Sequence, residues 1–318
     1  MKILIELPTW LGDTVMATPA IENLIKHYSD PEITLIGSHS AIDVIKSHPR
    51  VKKSYITKNT YIEIYRTTKA LGMFDLFFSF RGSLRSTYMK FCIDAIHKYQ
   101  FKKKMYVSGH QVEKYNQFIN ESLNIQSPPG KLSLHNTTEK KIGKNKILGI
   151  NPGASYGEAK QWHSEGFSNV ASALSHQYDI VIFGGPLDEN IAQEIEINLI
   201  EKGVKNYQNL ASKTSILELI SQIANLDLLI TGDSGPMHIA GAFEVPTVTI
   251  FGPTRDNETS QWLNKKSINI KKNLECQPCM KRVCPLGHHD CMKLINSKEV
   301  LNAIESLDLR DVTKRLVN

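Results

Sequence analysis

The strongest constraint on this chain is a rhythm of short apolar runs and helical segments that occurs twice, separated by a stretch of turn-forming residues. The first half opens with KILIEL at 2–7. A helical period follows from Thr14 to Tyr28, with Val15, Ala20, Ile21, Leu24 and Ile25 on one side. EITLIG (32–37), KSYIT (53–57) and MFDLFFSF (73–80) read as further strands, with AIDVIKSH (41–48) as a helix between the first two. Strands that alternate with helices pair in parallel through crossovers, which makes an α/β layered domain. NIQSPPGKLSLHNTTEKKIGKNK at 124–146 is rich in Pro, Gly, Ser, Asn and Lys and marks a linker. Strands are then expected at 147–153, 179–185, 226–230 and 247–252, helices at 164–177, at 188–202 and from Pro236, and a last amphipathic segment at 297–307. The expectation is two doubly wound domains, 1–140 and 141–318, with ligands at the carboxyl ends of the strands in a cleft between them.

Length and composition agree. A chain of 318 residues suits two domains of about 150 each. With 41% hydrophobic and 22% charged residues it reads as soluble and globular, and no run approaches the roughly 18 apolar residues of a membrane span. MKILIELP breaks at Pro8 and lacks the pattern of a signal peptide, so a cytoplasmic protein is expected. Charge is uneven: residues 1–140 carry 19 Lys and Arg against 12 Asp and Glu, whereas residues 141–318 carry 19 against 20. A basic first half suggests an anionic partner such as a phosphorylated substrate or an anionic membrane surface. KYQFKKKMY at 98–106 interleaves lysines with aromatics, but no nucleic-acid-binding motif accompanies it. It is read as a solvated surface, with no nucleic-acid partner.

Candidate chemistry sits in turns after strands. In LDLLITGDSGPMHIAG (226–241), Asp233, Ser234 and Gly235 fall where a strand ends and a helix begins, with His238 on the same helical face as Ser234. Unpaired N–H groups and the helix dipole attract phosphate there, and Gly235 permits close approach, while Ser234 could cap the helix or donate to a ligand oxygen. NPGASYGEAKQW (151–162) offers small residues and hydroxyls leading to Lys160, suited to diphosphate oxygens without the spacing of a Walker A loop. In FGGPLDENIA (183–192), Asp188 and Glu189 could accept from ribose hydroxyls or simply cap a helix. No G-x-G-x-x-G follows any strand, which disfavours a dinucleotide dehydrogenase. In PTWLGDTVMATPAI (8–21), Gly12 and Asp13 follow the first strand, and Asp13 could cap a helix or remove a proton from an acceptor hydroxyl. Pro19 predicts a kink or a late helix start.

Cys276, Cys279, Cys284 and Cys291 lie within sixteen residues, with His288 and His289 between the last two. The C-x2-C start has zinc-knuckle spacing, so a structural zinc, a labile disulfide and plain packing are all open.

WLGDTVMATPAI, NPGASYGEAKQW, GDSGPMHIAGAFEVPTVTIFGPT and CQPCMKRVCPLGHHDCM together, in this order over nearly the whole chain, resemble glycosyltransferase family 9, the ADP-heptose:lipopolysaccharide heptosyltransferases, and most closely its type II branch. The resemblance implies a GT-B fold of two Rossmann-like domains and inverting transfer from ADP-heptose to the first heptose of the lipopolysaccharide inner core, with no required cofactor. It implies Asp13 as general base, Lys160 on the diphosphate, and Ser234, Gly235 and His238 on donor phosphates and sugar, with Asp233 in the same turn. Asp188 is a further donor-side candidate, while Gly12, Arg81 and Arg85 are acceptor-side candidates for the anions of a Kdo-lipid A carrying one heptose. Work on such an acceptor implies peripheral contact with the cytoplasmic face of the inner membrane. His163 stands after Trp162, where the family commonly has proline, and the usual arginine-glycine signature is not evident near 98–109. The competing readings are another family 9 transferase with a different acceptor or sugar nucleotide, a hydrolysing sugar-nucleotide epimerase, and a non-enzymatic nucleotide-sugar binding module.

Overall fold

The computed structural model describes residues 1–57, 60–135 and 145–307, and the chain forms two compact units, 1–137 and 138–318. The expected boundary at 140/141 lies outside the described residues.

The first unit runs β1 (Lys2–Glu6), α1 (Leu11–His27), β2 (Glu32–Gly37), α2 (His39–Ile45), β3 (Val51–Ile56), α3 (Tyr61–Ala70), β4 (Met73–Ser79), α4 (Leu84–Cys92), β5 (Asp94–Gln100) and α5 (Gln111–Leu123). Its sheet is parallel, in the order β3-β2-β1-β4-β5. The chain therefore moves outward from β1 in one direction and returns to its other side with β4. That reversal leaves a crevice outside the carboxyl ends of β1 and β4.

The second unit runs β6 (Lys146–Asn151), α6 (Ser164–Leu174), β7 (Tyr178–Ile182), α7 (Glu189–Glu201), β8 (Tyr207–Asn209), α8 (Ile216–Ala224), β9 (Leu228–Gly232), α9 (Gly235–Ala242), β10 (Thr247–Phe251), α10 (Asp256–Thr259), β11 (Ser267–Lys271), α11 (Asp290–Lys293) and α12 (Ser297–Ser306). Its strands are also parallel, in the order β11-β10-β9-β6-β7-β8, so the reversal falls between β6 and β9. β9 and β10 are buried along their whole length, as expected of inner strands covered on both faces.

Elements that the sequence reading did not single out form as well: α3, α4, β5, α5, β8, α8 and β11. The basic 98–106 stretch is the end of β5 and the turn after it.

The sequence predicted a late start or kink of the first helix at Pro19. The late start is not observed, because α1 is continuous from Leu11 and Pro19 lies inside it. Proline removes the backbone donor that would reach the Val15 carbonyl. The Thr18 hydroxyl donates to that carbonyl instead, at 2.7 Å.

Trp162 ties the loop after β6 to the end of the chain. It is 1% exposed, packs edge-on against Phe167, and its indole N–H donates to the Ile295 carbonyl at 2.9 Å. His163, where the resemblance leads one to expect proline, caps α6 by accepting from the Gly166 N–H at 2.8 Å. Trp162→Ala is expected to cost about 3–5 kcal/mol of stability. Trp162→Phe retains most of the packing and should cost about 1–3 kcal/mol for the orphaned carbonyl; denaturant unfolding of both variants checks the order.

Candidate active site

In the second unit the topological reversal brings together two loops that the sequence keeps 73 residues apart. Asn151 at the end of β6 is the register partner of Thr231 in β9. Its side-chain amide donates to the Thr231 hydroxyl at 3.2 Å and the Ser234 hydroxyl at 3.1 Å. Beyond it, the Lys160 ammonium donates to the Asp233 carboxylate at 2.6 Å and to the Asp233 carbonyl at 3.0 Å. The side chains are 11% and 6% exposed. Thr254, after β10, donates its hydroxyl to the same carboxylate oxygen at 2.6 Å. Lys160 also lies 4.8 Å from the Tyr156 ring centroid, with the Arg282 guanidinium 5.4 Å from the same centroid.

α9 begins at Gly235 with Ser234 as its N-cap residue, and Ser234 makes no side-chain capping bond. Its hydroxyl is held by Asn151 and Thr231 instead. Pro236 has no N–H and the Met237 N–H donates to the Ser234 carbonyl at 3.2 Å, so the donor that the first turn of α9 turns toward an anion is the Gly235 N–H, beside an ammonium fixed by the neighbouring loop. His238 is buried on the same helix. Lys160, Asp233, Ser234 and Gly235 are therefore brought together as the motifs suggested.

Asp188 is buried after β7 and accepts from the Gly185 N–H at 2.8 Å. A methyl group on Gly153 would sit 2.2 Å from an Asp188 oxygen. Asp188 thus fits into the space that Gly153 leaves between the loops after β6 and β7.

The cysteine-rich segment braces the Lys160 loop. The Arg282 carbonyl accepts from the Ala159 N–H at 3.0 Å. Tyr156 donates to the Met280 carbonyl at 2.7 Å, and His289 Nε2 lies 2.9 Å from the Ala159 carbonyl. Gly157 is required here, with φ at +154° and no room for a Cβ against the Arg282 carbonyl. All the cysteines of the described residues are free thiols. Cys291 is pushed up to about 11 by burial and then by the neighbouring thiols of Cys279, Cys276 and Cys284. Backbone donors at His289, Leu286 and Gly287 lower Cys284.

Among the described residues, Cys276, Cys279, Cys284 and Cys291 are not gathered as a metal-ligand set, whereas ligand atoms of Glu22, His48 and His135 lie within 4.8 Å of one another. There, His48 Nδ1 accepts from the Arg50 N–H at 3.0 Å, so a neutral His48 carries its proton on Nε2, facing Glu22 at 3.2 Å. This is the geometry of a hydrogen bond to a carboxylate rather than of a ligand lone pair.

A cavity of about 590 Å3 opens beside the loop, lined by Glu158, Trp162, His163, Asn190, Glu194 and Lys293 among others. It includes none of Lys160, Asp233, Ser234 and Gly235, so volume alone does not locate the chemistry.

In the first unit, Gly12 and Asp13 occupy the first turn of α1, where the dipole favours a carboxylate. Buried Tyr115 lies near Asp13; burial foremost, and then that carboxylate, hold its phenol well above the ordinary range. At the β1–β4 reversal itself lies Glu6, the last residue of β1 and the register partner of Ser79, which the sequence reading did not single out. It is 1% exposed and accepts from the hydroxyls of Ser79 at 2.6 Å and Ser86 at 2.9 Å. Arg81 lies 3.5 Å from it. Arg81, read from sequence as a candidate for acceptor anions, is thus engaged by an internal carboxylate, whereas Arg85 is exposed in the first turn of α4.

The model of glycosyltransferase family 9 (heptosyltransferase) matches residues 64–289. The chain belongs to glycosyltransferase family 9. A lipooligosaccharide heptosyltransferase 2 of Campylobacter jejuni is 41% identical over 315 residues, covering 96% of this chain and 98% of its own. One from Haemophilus influenzae is 27% identical over 307 residues, covering 84% and 88%. The structure of E. coli ADP-heptose lps heptosyltransferase II matches with a TM-score of 0.81 at 21% identity, over 98% of this chain and 99% of that one. The fold is the α/β GT-B arrangement of such structures. Within this family 9 glycosyltransferase, the family match spans both the Lys160–Asp233 pair and the cysteine-rich brace.

Burial foremost raises the Glu6 carboxyl above its ordinary value of 4.5, against the lowering influence of Ser79, Arg81 and Ser86. Its stabilising contribution is full below that ordinary value and is lost as pH rises through the higher native one. Glu6→Gln keeps an acceptor for one serine and turns an NH2 donor to the hydroxyl of the other, without the ionisation, so its Tm should decline less than the wild type's as pH rises above about 5; thermal melts across a pH series check it.

Proposed function

We propose that this chain transfers heptose from ADP-L-glycero-D-manno-heptose, with inversion, to the first heptose of the lipopolysaccharide or lipooligosaccharide inner core. The observation that carries the proposal is the largely sheltered Lys160–Asp233 pair beside the start of α9, at the topological reversal of the second unit. Similarity to lipooligosaccharide heptosyltransferase 2 over nearly the whole chain supports the donor and acceptor.

In this reading the second unit holds the donor. Lys160 and the Gly235 N–H at the start of α9 meet the negative charge that grows on the departing ADP, with Ser234 and His238 on its phosphates and sugar and Asp188 near the ribose. These groups stand in fixed positions before reaction, so the leaving group is stabilised by the protein's own charges and dipoles. No cofactor is required. Asp233 holds Lys160 until the diphosphate arrives and competes for the ammonium. The first unit holds a Kdo-lipid A carrying one heptose, with Gly12 and Arg85 on the acceptor side. Asp13 takes the proton as the acceptor oxygen attacks the anomeric carbon on the face opposite ADP. An acceptor anchored in lipid places the enzyme in peripheral contact with the cytoplasmic face of the inner membrane.

The test is transfer by the purified protein, in the presence of a chelator, to that acceptor, read as the mass of one added heptose. Asp13→Asn should lower kcat by about 10²–10⁴-fold and leave ADP affinity unchanged; loss of ADP binding as well would remove Asp13 from the role of base. Lys160→Ala should weaken ADP-heptose binding by about 10–100-fold. It should also lower Tm, because the Asp233 carboxylate loses its counter-charge. Unchanged donor affinity would take Lys160 out of the phosphate site.

A further inference from the structure

α3 and α4 pack against each other on one side of the first unit's sheet. Their inward residues, Ile64 and Met89, join Phe74, Phe77 and Ile93 in a buried cluster. Their outward faces are apolar too. On α4, Leu84, Tyr88 and Phe91 follow helical spacing along one face, and Leu84 and Phe91 are 82% and 83% exposed. On α3, Tyr61, Ile62 and Tyr65 are exposed. The two sets join where the Tyr61 and Tyr88 rings meet edge to face at 5.1 Å.

Cations are interleaved with this face. Arg66, Lys69, Arg85 and Lys90 stand on the same two helices, against one acid, Glu63, which already lies 3.9 Å from Arg66. Lys69 lies 5.9 Å from the Tyr65 ring centroid. A protein partner would favour an apolar centre depleted of lysine. Aliphatic and aromatic side chains set among Lys and Arg match instead the boundary between acyl chains and phosphate headgroups: leucine, isoleucine and phenylalanine enter, tyrosines sit at headgroup level, and cations meet phosphates. No helix of the described residues is long and apolar enough to cross a membrane, so this face would lie on a bilayer rather than in it.

We infer that the joined outer face of α3 and α4 docks the enzyme onto an anionic phospholipid bilayer. The inference rests on the proposed lipid-anchored acceptor and gives it a physical consequence. α4 starts just after Arg81, which contacts Glu6 at the carboxyl end of β1, so the docking face begins at the same edge of the sheet as Asp13. An enzyme seated this way meets its acceptor sugar at the surface from which that sugar projects.

The experiment uses the full chain with vesicles of phosphatidylcholine, with and without phosphatidylglycerol, read by co-sedimentation in the absence of any sugar. Wild type should bind the anionic vesicles preferentially and lose binding as salt rises. Leu84→Ser with Phe91→Ser should weaken binding at least tenfold. Arg66→Gln with Lys69→Gln and Lys90→Gln should weaken it by about a hundredfold at low salt, about fivefold for each charge removed. Both variants should keep the wild-type Tm and the wild-type rate on a de-acylated, water-soluble acceptor, while losing rate on acceptor embedded in vesicles. Wild type that ignores anionic vesicles, or variants that bind like wild type, overturn the inference. So does a wild-type dimer that Leu84→Ser with Phe91→Ser converts to monomer, since the face would then belong to a second copy. Vesicle binding as predicted together with no heptose transfer to either acceptor would sink the proposed function and leave the docking face standing.

Discussion

The second unit depends on the pairing of β6 with β9, strands separated in the chain by three crossovers, through α6, α7 and α8, and adjacent in the sheet. That adjacency sets Asn151 beside Thr231 and brings Lys160 to Asp233. A charge pair this sheltered has little water around it, so each partner becomes costly to leave alone. The fold answers with additional contacts: Thr254 on the carboxylate and an aromatic ring beside the ammonium. The same sheltering makes the pair suited to anion exchange, because a diphosphate arriving at α9 meets a cation already held in place, with little conformational freedom left to lose.

The two units repeat one architecture with different electrostatics at the reversal of strand order. In the second, a lysine and a helix terminus make the crevice attractive to anions. In the first, two carboxylates stand near the reversal, Asp13 in the first turn of α1 and Glu6 deep beneath it. Burial drives Glu6 toward its protonated form, and Arg81 restrains that drive. The net positive charge of residues 1–140 is spent partly on such internal compensation, as Arg81 shows, so only the remainder, including the cations of helices α3 and α4, is left to face an anionic partner.

Motifs that combine a strand end with a helix start were legible in the sequence because both halves of the signal are local. Gly235, Ser234 and Lys160 could be placed by apolar run and turn alone. What escaped depended on strand order. Arg81 looks like a cation available to a substrate until β1 and β4 are seen side by side and Glu6, 75 residues earlier, takes its guanidinium. Ser234 looks like a helix cap until Asn151 and Thr231 claim its hydroxyl. The cysteines have the spacing of a ligand set, yet the segment acts on the rest of the unit through the carbonyls of Arg282 and Met280 and the ring of His289, which no side-chain pattern announces. Thr18 likewise lets α1 pass through Pro19 because its hydroxyl replaces the missing donor, a substitution that helix propensity alone does not foresee.

The brace has a consequence for how the protein is made. The loop carrying Lys160 leans on carbonyls contributed by residues 280 and 282 and on a ring at 289, more than a hundred residues further along the chain. During synthesis the loop emerges from the ribosome long before its supports, and Trp162 waits longer still for the Ile295 carbonyl. The proposed donor site therefore matures only after residue 295 has emerged, and a chain released before that point leaves it without its support.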